Sequence, residues 1–245
     1  MHQYFPSMEI FTFVYSYFKI LMTKYIMPTR EIEPTVIFME GNIGSGKSTL
    51  VKATQKMFAD NKNVYFLQEP VEEWKTIQDE NGDDIIKNYY KDQRKYAFKF
   101  QMMAYITRLK DLKRALESKK HKVIICERSL YTDKNVFAQM LYDDDIIDEI
   151  GFTIYNKWFE CFTDILKDTK YLYLRTSPSV CAERIVKRNR EGEEGIPIAY
   201  LEKIHDYHEN WLKTTANDIL DGNQTIEENL QKVCQFVDNI IDMKN

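Results

Sequence analysis

Gly41-Asn42-Ile43-Gly44-Ser45-Gly46-Lys47-Ser48-Thr49 decides the fold. This stretch fits the pattern GxxxxGK[ST], follows the short apolar run Thr35–Glu40 and opens the helix-length segment Lys47–Ala59. Strand, glycine-rich turn and helix in that order let the backbone curl until successive N–H groups converge on phosphate oxygens. The helix N-terminus adds favourable potential there. Lys47 is placed to bridge the β- and γ-phosphates of a nucleoside triphosphate, and Ser48 to hold its magnesium ion. Residues 41–49 are therefore the candidate triphosphate-binding element.

Outward from this loop, Asn63–Gln68, Lys122–Glu127 and Lys170–Arg175 are short and rich in Val, Ile, Tyr and Phe, as strands are. Helix-length segments separate them: Gln93–Ser118, Leu130–Tyr142, one within Asp144–Leu166, and Pro178–Arg188. Ile198–Leu212 and Ile226–Ile241 read as closing helices, with Asp218–Gly222 as a weak fifth strand. Alternation of this kind with nearly continuous apolar strands predicts an α/β fold. Its sheet is parallel, five-stranded and covered by helices on both faces. Residues 35–245 contain no repeat, linker or low-complexity tract and read as one domain.

The 245 residues suffice for a full core. With 29% charged and 44% hydrophobic residues, the chain has the balance of a soluble globular protein. A net charge of −4 argues against bulk electrostatic binding of nucleic acid. Cys126, Cys161, Cys181 and Cys234 lie far apart without a CxxC, so no disulfide framework or zinc site is legible, and a reducing, cytoplasmic compartment fits. Residues 1–34 differ from the rest and read as a poorly ordered N-terminal extension. Only nine uncharged residues separate Glu9 from Lys19, too few to span a membrane. Lys19 and Lys24 follow the apolar run, where a secretory signal would place its basic residues first. Scarce acids leave a mitochondrial presequence as the alternative. No later segment approaches transmembrane length.

Triphosphate binding alone leaves switches, motor ATPases and small-molecule kinases open. Asn61-Lys62-Asn63-Val64 fails the last position of the NKxD base-recognition motif of GTPases. The strand ending at Glu127-Arg128 brings an acid that can hold metal or its water, and an arginine that can face developing phosphoryl charge. Glu69 also ends a strand, with Pro70 turning the chain away, and a carboxylate there can accept the proton of an alcohol. Taken alone, Glu69 reads more readily as an acid capping a loop. Arg184, Arg188 and Arg190 run into Glu191-Gly192-Glu193-Glu194-Gly195, an arginine-rich lid over about residues 184–196 that can close on phosphates.

Taken together, GNIGSGKSTL (41–50), EPVEEW (69–74), YKDQRKYAFKFQ (90–101), ERSLYTDKNVFAQMLY (127–142) and RIVKRNREGEEGIPIAYLEKIHDYHENWL (184–212) resemble a known family. It is the deoxyribonucleoside kinases of the deoxycytidine kinase, deoxyguanosine kinase and insect multisubstrate kinase group. The resemblance covers about residues 35–212. It implies a P-loop kinase fold, ATP-dependent phosphorylation of a deoxyribonucleoside 5′-hydroxyl, magnesium as cofactor, a role in nucleotide salvage and a homodimer.

Position by position, the resemblance makes Glu69 the base for the 5′-hydroxyl and Arg128 the arginine beside that hydroxyl and the transferred group. Glu127 becomes the acid associated with magnesium, and Gln101 the reader of the acceptor base between Phe100 and Phe137. Tyr90 and Glu193 become the pair on the sugar 3′-hydroxyl, with Glu194 the neighbouring register. Arg184, Arg188 and Arg190 become lid arginines. Arg108 and Asp133 occupy positions where the family carries an Arg–Asp pair in kinases of deoxycytidine and deoxypurines, which predicts those nucleosides over thymidine. Gly44-Ser45 departs toward the thymidine-accepting branch. The rival readings are a nucleoside monophosphate kinase and a non-catalytic nucleotide-binding subunit.

Overall fold

Five strands form the centre of the computed structural model, which describes residues 33–162, 165–190, 193 and 195–244. They are β1 (Thr35–Glu40), β2 (Val64–Leu67), β3 (Val123–Glu127), β4 (Thr169–Arg175) and β5 (Asp218–Asp221), all parallel and ordered β2-β3-β1-β4-β5. β1 is buried along its whole length because it pairs on both sides, Val36 opposite Ile124 of β3 and Thr169 of β4. A strand flanked in this way is apolar on both faces. Ile37, Met39, Ile125 and Leu174 pack on one face against Leu50 and Val51 of helix Lys47–Met57 and Val233 and Val237 of helix Ile226–Met243. Val36, Phe38, Ile124 and Tyr173 pack on the other against Leu112 of helix Gln93–Ser118 and Leu212 of helix Ile198–Thr215.

The predicted strands and the long helices are present, with Gln93–Ser118 and Pro178–Arg188 ending where the sequence placed them. Asp92 caps the first of these by accepting the Lys95 N–H, and Pro178 opens the second. Two local expectations change, and one connection that the sequence left unassigned is filled. The predicted helix Leu130–Tyr142 is interrupted: Leu130–Thr132 and Gln139–Asp143 flank a π-helical segment, Asp133–Ala138. The helix expected within 144–166 runs only from Glu149 to Glu160, capped by Asp148. Two short helices, Val71–Lys75 and Ile85–Lys91, fill the connection after β2.

Glu33–Asn245 forms one unit by its internal contacts. Apart from Glu33 and Pro34, the N-terminal extension lies outside the described residues. Among the described residues no helix is long and apolar enough to cross a membrane.

Candidate active site

The carboxyl ends of β1, β2 and β3 deliver the P-loop, Glu69 and the Glu127-Arg128 pair to one edge of the sheet, where open α/β folds bind ligands. A single cleft of about 850 Å³ runs there from Lys47 to Gln101.

At its donor end the loop after β1 turns through Gly41, Gly44 and Gly46, all at positive φ. A Cβ on Gly44, at φ 75°, would stand 2.5 Å from the Cys181 carbonyl oxygen, so glycine is required both for conformation and for space. Lys47 Nζ donates to the carbonyls of Gly41 at 2.9 Å and Asn42 at 2.7 Å. Burial, then the charge of Arg128, pushes the Lys47 ammonium down to about 7. An anion placed beside it reverses that shift, so the site favours a phosphate thermodynamically. Ser48 Oγ donates to Glu127 Oε1 at 2.5 Å. These two hard oxygens suit magnesium, which keeps most of its ligands as water and phosphate. Among the described residues no group of three or more His, Cys, Asp or Glu could hold a metal ion.

Loop backbone is braced from below. Ser45 O accepts from Thr176 Oγ1 at 3.0 Å and from Arg184 Nη1 at 2.7 Å, and Arg184 Nη2 donates to Gly222 O at 3.0 Å. Arg184 lies in the helix Pro178–Arg188 that the sequence predicts, lines the cleft and ties the P-loop to the turn after β5. Asn42 turns its side chain away from the cleft to donate to Leu201 O at 2.8 Å.

At the acceptor end the structure gathers every residue the sequence nominated: Glu69, Tyr90, Phe100, Gln101, Arg108, Arg128, Asp133, Phe137 and Glu193 all line the cleft. Arg108 bridges two carboxylates, from Nη2 to Glu69 Oε1 at 2.5 Å and from Nε to Asp133 Oδ2 at 3.0 Å. Arg128 Nε lies 3.4 Å from Glu69 Oε1, and its guanidinium sits 4.9 Å from the Phe137 ring centroid. Burial opposes ionisation of Glu69, but the charges of Arg108 and Arg128 outweigh it and hold the carboxyl at about 2. For Asp133 burial prevails over Arg108 and lifts the carboxyl to about 6. Buried Gln101 Oε1, Arg108 Nη1 and Arg128 Nη1 have no hydrogen-bond partner among the described residues, which leaves donors and an acceptor for a polar ring and an oxygen-rich group.

Glu193 is buried and pairs with Arg188 and, at 3.1 Å, with Arg190 Nη1. Its charge acts on the Tyr90 hydroxyl, which burial and Tyr200 already push well above the usual range. Glu194 lies outside the described residues.

Two lining residues, Tyr200 and Trp74, lie within the stretches that carry the resemblance but have no role assigned from the sequence. Tyr200 enters from helix Ile198–Thr215, its hydroxyl 2.8 Å from that of Tyr89. Trp74 packs edge-on to Phe100 with the Arg108 guanidinium 5.1 Å from its ring, and donates from Nε1 to Thr107 Oγ1 at 2.9 Å. An aromatic two residues from Glu72 on a five-residue helix gives no periodicity to read.

The site is thus that of a P-loop phosphotransferase whose acceptor pocket is aromatic, polar and closed by paired charges. The deoxynucleoside kinase family matches residues 37–242. A probable deoxycytidine kinase of fowlpox virus is 40% identical over 179 residues, covering 72% of this chain and 71% of that one. Human deoxycytidine kinase is 34% identical over 196 residues, covering 72% and 74%. A mitochondrial deoxyguanosine kinase of Xenopus laevis is 30% identical over 208 residues, covering 78% and 77%. The chain belongs to the deoxynucleoside kinase family. It is an ATP-dependent kinase of deoxynucleoside 5′-hydroxyls.

Proposed function

We propose that Glu69 and Arg128 carry the transfer of the ATP γ-phosphoryl group to the 5′-hydroxyl, and that deoxycytidine, deoxyadenosine and deoxyguanosine are preferred over thymidine. The observation supporting this most strongly is the common placement of Lys47, Arg128 and Glu69 in one cleft, with Glu69 ionised. A carboxylate held at about 2 is a weak base, so it orients the hydroxyl by accepting its hydrogen bond and takes the proton late, as the new O–P bond forms. Arg128 and the lid arginines Arg188 and Arg190 face charge developing on the transferred group, while Lys47 and the loop N–H groups hold the donor phosphates. Arg184 acts on the same phosphates through the loop it braces. Magnesium, held by Ser48 and by Glu127 directly or through water, neutralises phosphate charge when bound.

At the base, Gln101 offers a donor and an acceptor, and Phe100 and Phe137 supply faces for any ring. Asp133, fixed by Arg108, accepts from an exocyclic amino group and crowds the methyl of thymine. Tyr90 and Glu193 hold the 3′-hydroxyl. Glu69 disfavours a phosphorylated acceptor by repulsion, which separates this reading from a monophosphate kinase.

Homodimer formation is supported by the exposed apolar side chains Ile106, Ile150, Ile154 and Trp158 on two helices that pack together, Gln93–Ser118 and Glu149–Glu160. Four free thiols fit a reducing compartment and a cytoplasmic location. The test of the substrate assignment is a panel of four deoxynucleosides and dCMP with ATP and magnesium. Deoxycytidine or a deoxypurine nucleoside should give the highest kcat/KM. Thymidine in first place, or turnover of dCMP alone, overturns the reading.

A further inference from the structure

Glu40 ends β1, one residue before the P-loop, and its side chain is fully buried. Both carboxylate oxygens point to the turn that follows β3. Oε1 accepts the Ser129 N–H at 3.0 Å, and Oε2 accepts the Thr132 hydroxyl. Ser129 Oγ closes the same turn by accepting the Thr132 N–H at 3.1 Å. Arg128, immediately before it, stands at φ 69° and donates its N–H to Met39 O at 3.0 Å. Consecutive donors on one turn, the amides of Arg128 and Ser129, therefore end on consecutive residues of β1. A side-chain-bearing residue keeps left-handed backbone only where its surroundings over-determine it, and here Met39 and Glu40 do so. Thr132 is also the last residue before the π-helical segment that begins with Asp133.

We infer that Glu40 is a positioning residue for phosphoryl transfer: it clamps the turn carrying Arg128 to the strand that leads into the phosphate-binding loop. The inference rests on the role proposed above for Arg128. The donor phosphates and the arginine that meets the transferred group come from different strands, β1 and β3. Strand pairing stops at Met39 and Glu127, so beyond that point the sheet no longer sets their separation. Glu40 extends the register past the last ladder bond, where a displacement of the guanidinium is most costly to in-line transfer.

The test uses the full-length enzyme. Glu40→Ala removes both bonds, whereas Glu40→Gln keeps Oε1 for the Ser129 N–H and lets its amide donate to the Thr132 hydroxyl oxygen. Glu40→Ala should lower kcat about 10²-fold, with KM for ATP within about threefold because Lys47 and Ser48 are untouched. Glu40→Gln should recover to within about fivefold of the wild type. Because Glu40 acts through Arg128, adding Glu40→Ala to Arg128→Ala should slow the enzyme further by less than about threefold. If Glu40→Ala does not fold, Thr132→Val carries the same cycle with a smaller loss, about tenfold. Unchanged kcat in folded Glu40→Ala overturns the inference. So does an equal loss in Glu40→Gln, which would assign the effect to charge, and so does a full additive loss beside a slow Arg128→Ala. Normal turnover of Arg128→Ala itself would instead remove the reading of the site on which the inference stands.

Discussion

Arg108 Nη2 donates to Glu69 Oε1 at 2.5 Å, so the residue proposed to face the base also holds the carboxylate proposed to face the hydroxyl. A second ion pair, from Nε to Asp133 Oδ2, joins the residues proposed for base preference and for chemistry on one guanidinium. Removing Asp133 alone would leave part of a buried cation uncompensated, so the informative change takes both partners away. Arg108→Leu with Asp133→Ala should raise the ratio of thymidine to deoxycytidine kcat/KM about 10–100-fold. Turnover should fall with either nucleoside, since Glu69 loses its strongest orienting contact. A substrate panel on the double variant checks both statements.

The two carboxylates on Arg108 respond to acid with opposite signs. Glu69 is depressed to about 2, so the stability it contributes is complete above its unfolded value of about 4.3 and is lost as pH falls from there toward 2. Asp133 is raised to about 6, so its ionisation costs stability above that pH, and the cost is relieved as pH falls from 6 toward about 4. Stability should therefore hold or rise slightly between pH 7 and 5 and drop below about pH 4. Glu69→Gln should flatten the drop. Denaturant midpoints measured at half-unit pH steps provide the check.

Activity has its own acid limb. Below about pH 6 Asp133 gains a proton and no longer offers a full acceptor to an exocyclic amino group, so kcat/KM for deoxycytidine should decline there. Asp133→Asn should move or abolish that limb while lowering the maximum, and a pH–rate profile of both proteins decides it.

Gly44→Ala places a Cβ at φ 75° and 2.5 Å from the Cys181 carbonyl oxygen. The loop has to shift, with a cost on the order of 1–3 kcal/mol. ATP binding should weaken at least tenfold, while the acceptor pocket, built on other strands, keeps its nucleoside affinity. Titration calorimetry with each ligand separates the two effects.

Glu127→Gln should raise the magnesium concentration needed for half-maximal rate about 10–100-fold, with a smaller change in the KM for nucleoside. Ser48→Ala should do the same, because each residue supplies one of the two hard oxygens at that point.

The sheet was legible because its strands are short, apolar and separated by segments of helical length. Residues 35–40 even give the exact span of β1, since Pro34 and Gly41 bound it. Asp133–Ala138 was not legible. A π-helical segment differs from an α-helix by which carbonyl each N–H reaches, and the order of residue types does not encode that. The acceptor-site candidates, which the structure gathers along one cleft, came from resemblance, whereas spacing alone favoured Glu69 as a loop-capping acid. Arg184 read as a lid arginine because a basic helix end beside glycines suggests one. Its engagement with Ser45 O depends on β4 lying next to β1. Glu40 gave no signal at all, since an acid ending a strand is ordinary until β3 brings Ser129 against it.

Kinetics of Glu69→Gln with saturating ATP, magnesium and deoxycytidine test the central claim most directly. The account predicts kcat lower by about 10²–10⁴-fold, with KM for ATP within about threefold of the wild type. Turnover within a few-fold of the wild type would contradict it and move the hydroxyl's partner elsewhere in the cleft.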